Sequence, residues 1–534
     1  MNRTDSAPML ASRPPVVWCI AGSDSGGGAG IQADVPTVHA LGGHPATALT
    51  AVTAQNSVGV QGVSAVSPEL FELQLDSLAA DLPPAAIKIG LLCEPWQVNV
   101  LHARLPGWKS HWPAMKIVLD PVMVATSGDE LAASSMADAL KSLLPYIDML
   151  TPNLTELAAL TAVPESELVS IAAAREAARP LLHAGCKSVV LKGGHANWQE
   201  MDHQTECIDA LVSRDSIWML AQPRVDTPHT HGTGCTLSSA LATALATAHP
   251  PEDALVLAST YLQQALQEAY ATGAGAGTPR RWLTRHSELA ARHTPTFRWS
   301  QPQPDMNAGF LRCTWQPLGL YPVVPDSGWL ARVLKAGAKT AQLRIKSAHH
   351  PQLVDEITAA VALGRQYGAQ VFINDHWELA IELKAYGVHL GQEDLASADL
   401  TALQDAGIRL GISTHGYAEL LRAVSLKPSY VALGHVFPTR TKVMASQPQG
   451  LARLTDYQAI AEQAGIASVA IGGIKPHHLP RVRACGVRSV AMVTAITDAE
   501  NPEAVIAQCQ HLLEASPLKS HTSTATTFEE EIGQ

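Results

Sequence analysis

Two aspartates, Asp375 and Asp394, each stand just past a short apolar run, and three cations, Arg344, Lys346 and Lys442, stand past neighbouring runs. A pair of carboxylates can hold one Mg2+, an ion that takes few protein carboxylates and keeps room for water and a substrate phosphate. Three cations beside that ion suit a diphosphate. A lone aspartate at a strand end commonly caps a helix. Two at adjacent ends, with cations around them, indicate a metal site instead. Gly472 and Gly473, and the backbone at Val493 and Thr494, follow two further runs and suit a second phosphate. The segment reads as a diphosphate site beside a monophosphate site.

A second constellation is His231-Gly232-Thr233-Gly234-Cys235-Thr236, which leads into the helix-forming run 237–248. Glycines at a helix start expose backbone N–H groups at the positive end of the helix dipole, an anion hole for a transferring phosphoryl group. Cys235 sits at the same start, where a thiol pKa is lowered, and could act as base towards a substrate hydroxyl. Taken alone, the motif also fits a glycine-rich helix start with a small buried cysteine. No G-x-x-x-x-G-K-[ST] loop occurs, and Gly26–Gly30 does not fit a dinucleotide fingerprint.

The elements that must position these residues are α/β throughout. In the first half, β-rich runs at 16–21, 86–90, 116–121, 147–152 and 187–193 alternate with Ala/Leu-rich helical stretches. That alternation predicts a mainly parallel, doubly wound sheet covered by helices. In the second half, eight apolar runs (319–324, 340–345, 370–373, 387–390, 409–412, 430–433, 468–471 and 489–493) succeed one another with room for a crossover helix between them. The count favours a closed (β/α)8 TIM barrel over an open sheet, and in such a barrel chemistry sits just past the C-terminal strand ends. The expected organisation is a disordered leader at 1–14, a first domain at 15–275, a linker at 276–310, a barrel at 311–515 and a disordered tail at 516–534.

The 534 residues carry 37 basic and 48 acidic side chains, a net charge of −11. That balance speaks against nucleic-acid binding, which needs basic surface, but permits small anionic substrates at locally basic sites. Eight scattered cysteines without a C-x-x-C pair fit a reducing cytoplasm better than a disulfide framework. The first apolar run is too short for a signal sequence, and no run reaches the length of a membrane span.

These motifs carry two resemblances. Gln342-Leu-Arg-Ile-Lys346, Phe372-Ile-Asn-Asp375, Gly387-Val-His-Leu-Gly-Gln-Glu-Asp394, Gly411-Ile-Ser-Thr-His415, the stretch from Ala432 to Lys442 and Ala470-Ile-Gly-Gly-Ile474 together resemble thiamine-phosphate synthase over about 311–515. The resemblance implies that Gln342, Arg344, Lys346, Asn374, Ser413 and Lys442 bind a pyrimidine diphosphate and that Asp375 and Asp394 hold Mg2+. Thr439, Arg440, Thr441, Gly473, Val493 and Thr494 would bind a thiazole phosphate. The thiazole tautomerase branch of the same barrel family needs no diphosphate cradle, so Lys346, Lys442 and the aspartate pair favour the synthase.

The first half, through Ala21–Asp34, Gly43–Asn56, Lys88-Ile-Gly90, Val118–Met123, Thr151–Glu156, Leu191–His195 and the motif at 231–236, resembles hydroxymethylpyrimidine/phosphomethylpyrimidine kinase of the ribokinase superfamily. By that resemblance Asp34 and Gln55 bind the aminopyrimidine, an edge that Gln suits because its amide both donates and accepts. Gly232, Thr233 and Gly234 form the anion hole, and Cys235 is the base. Asn153 and Glu156 organise Mg2+ and phosphates, Lys192 meets the nucleotide, and Asp120 lies near the metal. Pyridoxal kinase is a near relative whose usual base at this position is Asp, so Cys235 favours the pyrimidine kinase. The implied co-substrate is ATP, and the partners are small molecules: hydroxymethylpyrimidine, ATP and thiazole phosphate. A homo-oligomer is compatible with this reading. The first domain would make the diphosphate that the second consumes.

Overall fold

The computed structural model describes residues 13–123, 130–194, 196, 198–200, 202, 205–282, 291–300, 309–439 and 447–514. They form two compact units, the first comprising the described residues up to 300 together with 416–425, the second the described residues 309–415 and those from 426 on. The expected leader, apart from Arg13 and Pro14, and the expected tail fall outside the described residues.

Among the described residues of the first unit, ten strands make one sheet in the order β10-β9-β8-β7-β6-β5-β4-β1-β2-β3. The strands are β1 (Val16–Asp24), β2 (His44–Asn56), β3 (Gly59–Ala65), β4 (Ala86–Ile89), β5 (Lys116–Leu119), β6 (Met149–Leu150), β7 (Val189–Leu191), β8 (Glu206–Val212), β9 (Ile217–Pro223) and β10 (Thr296–Arg298). β7, β6, β5, β4, β1 and β2 run parallel. Their near-continuous apolar runs are buried by helices on both faces, as parallel strands require. β3 pairs antiparallel with β2, and β8, β9 and β10 continue the other edge antiparallel.

The sheet is therefore more mixed than the sequence predicts. The antiparallel strands break the regular strand–helix alternation: β3 and β9 close hairpins with β2 and β8, and β10 returns to the edge after two described α-helices. The chain leaves β1 towards β2 and later crosses to β4 on the other side. That reversal opens a crevice outside the carboxyl ends of the strands, the usual ligand position in a doubly wound sheet. β10 and the Tyr270–Thr278 bridge show that the stretch read as linker is partly built into this unit.

In the second unit, β11 (Leu320–Val324), β12 (Thr340–Leu343), β13 (Gln370–Asn374), β14 (Gly387–Leu390), β15 (Arg409–Thr414), β16 (Tyr430–Leu433), β17 (Ala467–Ala470) and β18 (Val490–Met492) close a parallel barrel, β18 pairing back with β11. All eight fall on the apolar runs of the sequence. The interior is filled by large rings: Tyr430 packs edge-on to Phe372 with centroids 5.0 Å apart, and to Tyr321 at 5.8 Å. No helix of the described residues is long and apolar enough to cross a membrane.

One polar contact ties three strands of the first sheet together. Asp148, just before β6, accepts from Lys109 Nζ at 2.6 Å, Lys187 Nζ at 2.7 Å and the Ile117 N–H of β5 at 2.8 Å. Its backbone carbonyl accepts from Ser188 Oγ beside β7. Burial pushes the Asp148 acid up, but the two ammonium contacts outweigh it and hold the carboxyl below its ordinary value. Burial also pushes the Lys109 ammonium down, against the lift from Asp148, so the acid-range dependence belongs to the carboxylate. A depressed carboxylate pKa means that the stabilisation is present above the unfolded value of about 3.9 and is lost as pH falls through the folded value. Asp148→Asn should cost about 1–3 kcal/mol at neutral pH. It should also speed hydrogen exchange at the Ile117 amide. The difference from the parent protein should shrink as urea titrations are repeated from pH 7 towards pH 3.

Candidate active sites

The first site lies where the parallel strands end. β1 runs into the glycine loop 25–30, and the helix Thr233–Ala246 starts behind it. Gly232 is the N-cap of that helix, with φ 81°, a left-handed backbone that glycine adopts without penalty. A Cβ on Gly232 would lie 1.9 Å from Gly28 O, and one on Gly28 would lie 2.1 Å from His231 Cδ2. The loop and the helix start can approach only because both positions lack side chains.

Arg281 fastens them. Its guanidinium donates to Thr236 Oγ1 at 2.7 Å, Gly28 O at 2.7 Å and His231 O at 3.1 Å, and the residue is 2% exposed. Nothing in the sequence marks Arg281, which falls in the stretch read as linker. An arginine becomes a clamp only when orphan carbonyls of a remote loop face it.

Beyond the anion hole stand carboxylates and one ammonium. Asp120, past β5, accepts from Thr151 Oγ1, Lys192 Nζ and Ser238 Oγ, each at 3.1 Å. Lys192 Nζ also lies 3.5 Å from Glu156. Asn153 caps the helix Leu154–Thr161, and Glu156 returns the bond to the Asn153 N–H at 2.7 Å, a capping box. A Cβ on Gly234 would lie 3.6 Å from both Asp120 Oδ2 and Lys192 Nζ. The helix start therefore faces this cluster, and four of the expected ATP and metal residues come together. Burial, with Asp120 adding to it against Lys192, pushes the Glu156 acid up to about 7. Two carboxylates sharing one ammonium leave negative charge that a divalent cation would offset, so the donor set fits Mg2+.

Two expectations need correction here. Asp34 lies in the helix Ile31–Ala40 and is fully buried. Its oxygens meet Lys88 Nζ at 2.9 and 3.0 Å and Ser239 Oγ at 2.7 Å. It is half of an internal ion pair beneath the site and shows no face to a ligand. Burial pushes the Asp34 acid up and opposes charge on Lys88, yet Asp34, with Asp120 adding, lifts Lys88 above its ordinary value, so we assign the charged pair. A lysine inside the apolar strand β4 was the sequence signal for it.

The second correction concerns the thiol. Burial pushes Cys235 up, with Lys88 opposing and Asp34 and Asp120 adding to the rise. At this helix start desolvation outweighs the dipole, and the resting side chain is a thiol. Gln55, at the end of β2, reaches His231 and stays at the mouth of the crevice.

In the barrel, the residues past β12, β13 and β14 converge on the same mouth. Asp375 follows β13 with φ 65°, a left-handed backbone tolerated by Asp more readily than by most residues. Its N–H donates to His389 O at 3.0 Å. Burial pushes the Asp375 acid up, and the Asp394 carboxyl in hydrogen-bond contact adds to the rise, while Arg344 opposes. Asp394 Oδ2 accepts from the Gly391 N–H at 3.0 Å. Two carboxyls thus face each other beside one guanidinium, an arrangement a divalent cation would relieve, so these donors fit Mg2+ as well. Among the described residues no group of three or more His, Cys, Asp or Glu side chains is gathered for a metal.

Beneath this mouth runs a polar chain through the barrel: Gln342 Nε2 to Tyr321 OH at 3.4 Å, Tyr321 OH to Tyr430 OH at 2.8 Å, Tyr430 OH to His389 Nδ1 at 2.7 Å, and His389 Nε2 to Ser413 Oγ at 2.8 Å. It links two expected ligand residues, Gln342 and Ser413, through three that the sequence did not single out as functional. Burial, with Arg344 and His415 adding to it, pushes His389 down to about 3, so its imidazole is neutral.

Asn374 closes β13 and is buried. Lys346 is exposed past β12, Thr439 follows β16 half-buried, and Thr494 lies exposed after Val493 at the end of β18. Gly473 follows β17, close to the carbonyls of Phe437 and Pro438. Arg440, Thr441 and Lys442 lie outside the described residues.

Two family models match the chain: phosphomethylpyrimidine kinase over residues 24–280 and thiamine monophosphate synthase over residues 320–496. A thiamine-phosphate synthase of Yersinia pestis (strain Pestoides F) is 54% identical over 205 residues, 38% of this chain and 94% of the relative. One from Serratia proteamaculans (strain 568) is 55% identical over 197 residues, 37% of this chain and 92% of the relative. A pyridoxal kinase structure from Bacillus subtilis is 29% identical, covers 51% of this chain and 98% of that one, and has a TM-score of 0.45. A phosphomethylpyrimidine kinase structure from Clostridium difficile is 29% identical, covers 46% of this chain and 98% of that one, and has a TM-score of 0.37. The chain belongs to the thiamine-phosphate synthase family and carries a phosphomethylpyrimidine kinase domain ahead of that barrel, so that it is a multifunctional enzyme of thiamine biosynthesis.

Proposed function

We propose that the two sites act in sequence. The first transfers phosphoryl groups from ATP to 4-amino-5-hydroxymethyl-2-methylpyrimidine and then to its monophosphate. The second joins the resulting diphosphate to thiazole phosphate, releasing pyrophosphate. The observation that carries this reading is that each unit sets an anion cradle against opposed carboxylates at the carboxyl ends of its own parallel strands. All eight cysteines are free thiols, which supports a cytoplasmic setting. We also propose that the kinase unit runs to Arg298, past the expected boundary at 275.

In the kinase site, the N–H groups at Gly232, Thr233 and Gly234 receive the transferring phosphoryl group as its charge spreads. Gln55 holds the pyrimidine edge. The thiolate form of Cys235 accepts the proton of the attacking hydroxyl. Asp120, Asn153 and Glu156 would hold Mg2+, with Lys192 meeting the phosphates. In the synthase site, Gln342, Asn374 and Ser413 orient the pyrimidine, and Arg344, Lys346 and Lys442 stabilise the departing diphosphate. Thr439, Arg440, Thr441, Gly473, Val493 and Thr494 hold the thiazole phosphate so that its ring nitrogen faces the pyrimidine methylene. Asp375 and Asp394 would hold Mg2+. Bound in either site, the ion supplies positive charge to oxygens that gain negative charge as their bond breaks.

The test is a pair of separate assays on purified protein. Cys235→Ala should lower kinase turnover by roughly 10²–10⁴-fold, the usual contribution of a positioned base, while coupling of supplied pyrimidine diphosphate with thiazole phosphate continues. Asp375→Asn should do the reverse, and a synthase rate left at the parental level would sink the metal assignment. The pH profile gives an independent check. With the thiol raised above its ordinary value of about 8.5, the reactive thiolate grows as pH rises, so kinase turnover should climb on the alkaline side. That limb should vanish in Cys235→Ser. A flat alkaline profile in the parent would remove Cys235 as the base.

A further inference from the structure

The side chain of Gln55 ends against a histidine that has no freedom in its choice of proton. Ser25 Oγ clasps the Gln55 backbone, accepting from its N–H at 2.8 Å and donating to its carbonyl at 2.7 Å. A register shift between Ala54 and Gln55 in the β2–β3 pairing turns the side chain out of the regular alternation. Gln55 Nε2 is placed 3.3 Å from His231 Nε2, and that histidine nitrogen lies 2.9 Å from Asp24 Oδ2.

Asp24 is 4% exposed. Its carboxylate also accepts from the N–H groups of Gly26, Gly28 and Ala29 at 2.8, 3.0 and 2.9 Å. Burial pushes its acid up, but these contacts with that of His231 prevail and hold it below the ordinary value. An ionised carboxylate can only accept, so His231 Nε2 must carry a proton and donate to Asp24. This holds for the neutral imidazole and for the imidazolium alike. A nitrogen that already bears a proton cannot accept from an amide NH2. The hydrogen-bond logic therefore assigns the Gln55 oxygen to the place where Nε2 stands, with the amide turned over. The amide can turn to place it there because its oxygen and nitrogen are nearly equal in size.

We propose that Asp24 and His231 are positioning residues that fix the polarity of the Gln55 amide, so that its NH2 faces the pyrimidine and the kinase selects rings with an acceptor nitrogen at that edge. The proposal rests on the reading that Gln55 holds the ring. Its consequence is chemical. In a 4-aminopyrimidine the ring nitrogen beside the amino group is an acceptor, and the remaining lone pair of Gln55 Oε1 can take a proton of the exocyclic amine. In the 4-oxo analogue the same ring nitrogen carries hydrogen and the exocyclic oxygen accepts, so donor meets donor and acceptor meets acceptor. Such an edge is rejected because buried polar groups are left without partners.

The experiment compares kcat/KM of the full chain for 5-hydroxymethyl-2-methylpyrimidines bearing a 4-amino or a 4-oxo group. The parent should prefer the amino ring by roughly 10–100-fold, the penalty expected of an unmet buried polar group. His231→Phe should bring that preference below about threefold, mainly through KM, because the amide can then turn either way. His231→Gln, whose own NH2 can donate to Asp24 and to Gln55 Oε1, should restore part of the preference. If His231→Phe lowers kcat for both rings and leaves their ratio intact, the histidine merely supports the loop and the proposal falls. Gln55→Ala separates the two levels. Unchanged KM values in that variant would overturn the ring-binding reading itself. Loss of the preference in Gln55→Ala but not in His231→Phe would overturn only the role of Asp24 and His231.

Discussion

Parallel strands need a crossover for every pairing, and the crossover returns the chain to the same edge each time. All carboxyl ends of the strands, and all starts of the helices that succeed them, therefore gather on one face. Both units of this enzyme obey that constraint with different closures: an open mixed sheet in the first and a closed eight-stranded barrel in the second. Neither has to build a pocket from scattered loops. Polar residues placed one to four positions past an apolar run are delivered to a common mouth by the backbone alone. Asp375 and Asp394 meet in this way although their strands β13 and β14 differ in length and lead into different turns. Asp120, Asn153 and Lys192 meet in the same way past β5, β6 and β7.

The same rule explains which parts of the structure were legible. The eight barrel runs were readable because a buried parallel strand is continuously apolar and is succeeded at once by glycine or polar residues. The glycine loop and the motif at 231–236 were readable because glycine before a helix start has few uses other than close backbone approach. The antiparallel strands β3, β8, β9 and β10 were not readable. Strands added antiparallel break the regular strand–helix rhythm and carry only a weak alternation of their own. Arg281 escaped for a different reason. Its function is defined by carbonyls of Gly28 and His231 that lie far away in the chain, and no local pattern encodes that. Asp34 shows the reverse error. Its place in a polar motif suggested a ligand, and only the burial of Lys88 beside it reveals an internal ion pair.

The two mouths solve phosphate recognition by different means. On the proposed reading, neutral backbone N–H groups at a helix start would do this in the kinase, where Lys192 stands between the neighbouring carboxylates. Such a cradle accepts a group that arrives and moves on, since it carries no full charge to trap it. On the proposed reading, Arg344, Lys346 and Lys442 of the barrel would bring full charges to a leaving group that gains charge as it departs. The difference matches the direction of charge flow in each reaction. A kinase must release a phosphorylated product that is more anionic than its acceptor substrate. A synthase must draw a diphosphate away from carbon.

These arrangements cost stability in the free chain, and the surrounding packing tolerates the cost. Asp375 holds a left-handed backbone and faces another carboxyl. Glu156 is desolvated next to Asp120. Each is a group that would relax if its neighbours were soft. They do not relax because the supports are stiff. In the barrel, the tyrosine pair, Phe372 and a neutral His389 form one packed and hydrogen-bonded column directly beneath the mouth. In the kinase, the Lys88–Asp34 pair and the Arg281 clamp lie beneath and behind the anion hole. Such buried polar supports are expensive when half satisfied and rigid when fully satisfied. On the proposed reading, a cation or phosphate bound at either mouth would relieve the charge that these stiff supports hold in place.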